Sequence, residues 1–148
     1  MPGTRREIGQ LLMRLTQDFQ QRLDADLARR GVSGIGRRHR RVFLHLARNG
    51  PCRSVDLAAA AGIRPQSMMT IVHELDELGF VRRSADPGDS RAKRIALTAG
   101  GRKLVTELAR SSEAVWRQYA SLAGAPLLQR LSTDMQALLE ATAAGEAP

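Results

Sequence analysis

The sequence predicts a mainly α fold with a small β-wing, and three observations carry that prediction. Apolar residues recur at spacings of three and four over most of the 148 residues. A short helical stretch, a glycine turn and a longer helical stretch follow one another at 54–78. Only at 79–97 does the pattern change to strand-like alternation, around Pro87-Gly88.

Ile8, Leu11, Leu12, Leu15, Phe19 and Leu23 form one apolar stripe among polar residues, so residues 1–30 read as a long amphipathic helix ending near Gly31. After the connector "GVSGIG", a second helix at 37–50 places Val42, Phe43 and Leu46 on one face and stops at Gly50-Pro51. "SVDLAAAAG", 54–62, is a short helix with Ser54 as candidate N-cap, alanines of high helix propensity and Gly62 suited to the position just past its end. Pro65 then supplies the preset φ of a first helical position, and Met68, Ile71, Val72, Leu75 and Leu78 form the stripe of the next helix.

The stretch "DPGDSRAKRIALT" reads as a hairpin tip at Pro87-Gly88 followed by a strand near 92–97, with the entering strand near 80–84. Segment 37–98 is therefore a winged helix-turn-helix. From Thr98 a helix carries Leu104, Val105, Leu108, Val115, Trp116, Tyr119 and Leu122, and after Ala125-Pro126 another carries Leu127, Leu128, Leu131, Met135, Leu138 and Leu139. The last residues, "ATAAGEAP", are expected to fray.

A chain of this length, 43% hydrophobic, is expected to be one domain, 1–148, with a real core. Lys and Arg number 23 against 15 Asp and Glu, a formal charge of +8, with a pI of about 11.2. That balance favours a polyanionic partner, nucleic acid or an anionic membrane surface. No apolar run reaches the roughly 18 residues of a membrane span, and the start of the chain lacks a signal-peptide core, so a soluble cytoplasmic protein without a membrane partner is expected. One cysteine, Cys52, excludes an intrachain disulfide and a multi-cysteine zinc site. Three scattered histidines offer no metal spacing and no nucleophile–base pair is visible, so neither an enzyme nor a cofactor or metal site is expected.

On the helix that begins at Pro65, the face opposite the apolar stripe carries Gln66, Ser67, Thr70 and His73, with Arg64 just before it. The N-terminal end of such a helix enters the DNA major groove. Gln66 suits a bidentate pair with adenine, Ser67 and Thr70 suit bases or phosphates, and Arg64 suits guanine or a phosphate. Glu74, Asp76 and Glu77 at the other end are expected to tilt away from the phosphates. From Arg82 to Lys103 there are seven Arg or Lys against two Asp. Arg91 at the tip suits a minor groove, while Arg83, Lys93 and Arg94 suit phosphates. Asp89 is expected to brace the turn by bonding backbone amides.

The segment "LAAAAGIRPQSMMTIVHELDELGFVRRSADPGDSRAKRIALTAGG", 57–101, closely resembles the winged helix of the MarR family of regulators. The shared pattern is carried by Leu57-Ala58, Leu75, Gly79-Phe80, Arg83, Asp89, Arg91, Leu97-Thr98 and Gly101. The resemblance implies a homodimer built by helices at 1–30 and 99–143, presenting two winged motifs to a pseudo-palindromic site on double-stranded DNA. It further implies a repressor that releases DNA on binding a small phenolic or lipophilic effector, or, in some members, on cysteine oxidation. Three amphipathic helices around a small winged domain fit a symmetric dimer independently.

Other readings compete. A winged-helix module that docks on another protein would have only non-specific DNA affinity, and a regulator without effector response would repress constitutively. The "RRHRR" cluster at 37–41 is a candidate phosphate contact, although basic charge at a helix start opposes the helix dipole. Arg53 beside Cys52 favours a thiolate, yet a lone cysteine at a helix junction is more often packing. His45 is placed between the first two helices, and Trp116 with Tyr119 reads as inter-helix packing.

Overall fold

A computed structural model of the chain describes residues 7–145. Its elements are α1 (Ile8–Arg29), α2 (Arg37–Asn49), β1 (Cys52–Arg53), α3 (Ser54–Ala61), α4 (Pro65–Glu77), β2 (Val81–Asp86), β3 (Asp89–Leu97), α5 (Ala99–Ala123) and α6 (Ala125–Gly145). The chain divides into two compact units, one ending at Ser111 and the other beginning at Ser112.

In the first unit, α2 buries Val42, Phe43 and Leu46, α3 buries Leu57 and Ala58, and α4 buries Met68, Ile71, Val72 and Leu75. The sheet adds Val81 and Ile95, and the first half of α5 adds Leu104 and Leu108. Phe43 meets Phe80 edge to face at 5.9 Å between ring centroids, the geometry that aromatic quadrupoles favour. Leu78, expected in the α4 stripe, is exposed, because α4 ends at Glu77 and the chain turns at Gly79, where φ is +77°. The upper part of α1 leaves Ile8, Leu11, Leu12 and Leu15 exposed.

The hairpin is longer than expected. β2 and β3 pair from Val81↔Leu97 to Asp86↔Asp89, which leaves Pro87 and Gly88 as a two-residue turn. A register irregularity between Ala85 and Asp86 swings Asp86 into a buried position. The third strand, β1, was not anticipated: Cys52 pairs with Ile95 and Arg53 with Arg94, giving the antiparallel order β1-β3-β2. This pairing holds Arg53 extended (φ −74°, ψ 151°) and makes it, not Ser54, the N-cap of α3, without a side-chain capping bond.

Thr98 joins the wing to α5. Its backbone N–H donates to the Phe80 carbonyl (3.0 Å), its Oγ1 donates to the Gly79 carbonyl (2.5 Å), and the Gly101 N–H donates to that same Oγ1 (3.1 Å), an N-cap bond. A Cβ at Gly101 would run into the Phe80 carbonyl, so the start of α5 can approach the Gly79-Phe80 turn only with glycine there.

In the second unit, α6 has no buried residue, and Leu127, Met135, Leu138 and Leu139 are exposed. The tail expected to fray is helical through Gly145; residues 146–148, and residues 1–6 of the expected first helix, lie outside the described residues.

Candidate nucleic-acid interface

The turn before α4 is set by Gly62 in the left-handed region (φ +65°) and by the bond from the Ile63 N–H to the Ala58 carbonyl (3.1 Å). Arg64 then takes an extended N-cap conformation and Pro65 opens the helix. With the apolar stripe buried, Arg64, Gln66, Ser67, Thr70 and His73 all stand exposed along one side. Thr70 Oγ1 donates to the Gln66 carbonyl at 3.3 Å. The first-turn amides of α4 have no carbonyl acceptors within their own helix and aim along its axis, as at any helix N-terminus.

The acidic end of α4 is bonded to α2 and to the wing. Arg38 Nη2 donates to both carboxylate oxygens of Glu74 at 2.9 Å. The Gly36 N–H donates to Nδ1 of buried His39 (2.9 Å), so Nε2 carries the ring proton and donates it to Glu74 Oε2 at 2.6 Å. Those bonds, led by that from His39, hold the Glu74 carboxyl below its usual range. Asp76 accepts from Arg83 Nε at 3.0 Å, and Arg83 Nη2 lies 3.5 Å from His73 Nδ1, whose Nε2 is 3.3 Å from Glu77. Arg83, assigned from sequence to phosphate, thus leans on α4 and links the wing to it.

At the wing, Arg91 and Lys93 are exposed and form no ion pair among the described residues. Asp89 Oδ1 accepts the Arg91 N–H at 3.0 Å, a local turn-closing bond. Arg94 is differently placed: Nη1 donates to Asp86 Oδ1 (3.3 Å) and Nη2 to the Pro51 carbonyl (3.2 Å). Asp86 Oδ2 accepts from Arg53 Nε at 2.8 Å and from Arg53 Nη2. Arg53, with Arg94 assisting, keeps the Asp86 carboxyl below the usual carboxylate range.

Of the "RRHRR" cluster, Arg38 and His39 serve Glu74, buried Arg40 serves Asp24 (2.6 Å) and Gln20 (2.5 Å), and Arg41 donates to the Ala61 carbonyl (3.3 Å). Four of its five residues thus have bonding partners within the chain. Cys52 fits the packing reading: burial, with Asp56 nearby, pushes its thiol up, and the Arg53 guanidinium bonds Asp86. His45 lines a cleft of about 260 Å³ with Arg41, Arg48 and, from α3, Ala60.

Sequence reasoning missed Glu74, Arg38, His39, Asp86 and Arg53 as the groups that hold the interface in place. The spacing from His39 to Glu74 is 35 residues and from Arg53 to Asp86 is 33, so no local pattern joins them. Among the described residues, no helix is long and apolar enough to cross a membrane.

Comparison with known proteins agrees with this geometry. The sequence profile of the MarR family matches residues 33–92. HTH-type transcriptional repressor Rv2887 of Mycobacterium tuberculosis is 37% identical over 83 residues, 56% of this chain and 54% of that protein. The chain spans about half the length of the curated relatives it matches. Among solved structures, a MarR-family transcriptional regulator from Rhodococcus sp. RHA1 has a TM-score of 0.74 at 24% identity, covering 93% of this chain and 96% of its own. Wild-type MarR of E. coli in its apo form has a TM-score of 0.76 at 17% identity, covering 89% and 96%. At such identities the two structures establish the fold, a mainly helical chain with a small three-stranded wing.

Proposed function

We propose that this chain, whose residues 33–92 match the sequence profile of the MarR family, is a sequence-specific DNA-binding transcriptional regulator that acts as a homodimeric repressor on a pseudo-palindromic operator. The observation that carries the reading is the pairing of two exposed surfaces, the polar side of α4 and the basic wing, on one braced scaffold. Gln66, Ser67, Thr70 and His73 read the major groove, with Arg64 on guanine or a phosphate. Arg91 enters the minor groove, and Lys93 and Arg83 neutralise phosphates.

A symmetric dimer would cover the exposed apolar residues of α1 and α6, which a monomer leaves in water. A cleft of about 450 Å³ lies between the end of α2, the sheet and the start of α5, floored by Leu46, Leu97 and Val105 and edged by Arg82 and Arg102. Its volume and mixed lining suit a small phenolic or lipophilic effector. Binding there would act on the wing and on the helix that carries it.

Selection from random duplex DNA at near-physiological salt tests the reading. Recovery of a pseudo-palindrome with half-sites about one helical turn, roughly 10 base pairs, apart is the expected result. Binding without any recovered motif, abolished by modest salt, would overturn it and leave a protein-interaction module with non-specific DNA affinity.

A further inference from the structure

Arg53 and Arg94 are direct cross-strand partners in the β1·β3 ladder. Two like charges directly opposite each other in a sheet repel and destabilise it. Here the carboxylate of Asp86 resolves the conflict: Oδ2 accepts from Arg53 and Oδ1 from Arg94. The three residues come from β1, β2 and β3, so one side chain, next to the hairpin turn, joins all the strands of the wing. Asp86 reaches them only because the strand irregularity at Ala85/Asp86 turns it inward. Its side chain is 4% exposed, whereas those of Arg53 and Arg94 are each 43% exposed.

We propose that Asp86 is a positioning and specificity-determining residue of the wing, which fixes the tip relative to α3 and withholds Arg53 and Arg94 from phosphates. The inference rests on the DNA-binding reading above. β1 runs directly into α3, so the Asp86–Arg53 bonds tie the strand bearing the hairpin tip to the helix-turn-helix. Arg94, though it lies in the basic stretch that sequence assigns to phosphate, is held to Asp86 and to the Pro51 carbonyl. Cations free to slide among phosphates add affinity without sequence preference. Occupying two of them internally leaves Arg91 and Lys93 as the cations of β3 outside any ion pair among the described residues and lets groove geometry decide where the tip sits.

The test measures binding of the full-length protein to the duplex recovered by selection and to a scrambled duplex of equal length, each at several salt concentrations. In Asp86→Asn the two arginines lose their anion. Affinity for the scrambled duplex is expected to rise roughly fivefold or more, with a log–log salt slope steeper by about 1–2. The preference for the selected duplex should fall at least about tenfold. The triple variant Arg53→Gln/Asp86→Asn/Arg94→Gln should return the slope to that of the wild type. A folded Asp86→Asn protein with unchanged slope and preference would overturn the proposal.

If thermal melting shows Asp86→Asn unfolded, Arg53→Gln and Arg94→Gln decide. Unchanged salt slopes in both support the withholding role, and a slope shallower by about one in either places that arginine on a phosphate and overturns it. A wild-type protein with no preference for any sequence would instead defeat the DNA-reading function itself, a separate outcome visible before any variant is made.

Discussion

Nε2 of His39 lies 2.6 Å from Oε2 of Glu74, and this contact, with Arg38 on the same carboxylate, fastens the first turn of α2 to the C-terminal part of α4. The helix that presents Gln66, Ser67, Thr70 and His73 is therefore held at two places along its length, by the buried stripe and by an ion cluster at its acidic end. Glu74 and Asp76 of α4 are anchors.

Glu74→Gln removes the charge and keeps the shape. Because the carboxyl is held below its usual range, its contribution is present above the ordinary glutamate pKa and is lost as pH falls through the lowered value. Urea unfolding should show a lower midpoint for the variant at neutral pH and a difference from wild type that closes on acidification. A constant difference across pH would contradict the role assigned to the charge.

Asp26 offers a second, sharper acid dependence. Arg30, donating at 2.6 Å, outweighs burial and brings its carboxyl down from 3.8 to about 2, with Arg29 assisting. Stability from this group is complete above about pH 4 and drains away as pH falls toward 2. Asp26→Asn should cost on the order of 1–2 kcal/mol at neutral pH and nearly nothing at the acid end, read by denaturant melts.

Gly101 and Gly100 separate a steric requirement from helix propensity. An added Cβ at Gly101 meets the Phe80 carbonyl, whereas at Gly100 the nearest atom is the Gly79 carbonyl at 3.3 Å. Gly101→Ala should destabilise by about 1–3 kcal/mol as the turn is forced apart. Gly100→Ala should be near neutral, because a better helix former offsets a mild squeeze. Equal thermal shifts for the two would count against the close approach described.

Arg91 and Lys93 differ in expected role and so in signature. Arg91→Ala should weaken binding to the selected duplex by about tenfold or more, whereas Lys93→Ala should lower affinity alike for all sequences and make the salt slope shallower by about one. Wild-type affinity in Arg91→Ala would remove it from the minor groove.

The sequence by itself determined the helices, the turn before α4, the position of the hairpin turn at Pro87-Gly88 and the exposed side of α4, because each depends on short-range effects. Apolar periodicity selects a helical face, Gly62 and Pro65 set local dihedrals, and Pro87-Gly88 reverses the chain, all within a few residues. Only the tertiary structure decided what the charges do. Arg83 and Arg94 look alike in a basic run, yet cross-strand register and one strand irregularity send the first to Asp76 and the second to Asp86. β1, two residues long, has no periodicity to be read and exists because β3 offers it an edge. Pairing of charges 33 or 35 residues apart is set by how helices and strands pack, so no local pattern in the chain contains it.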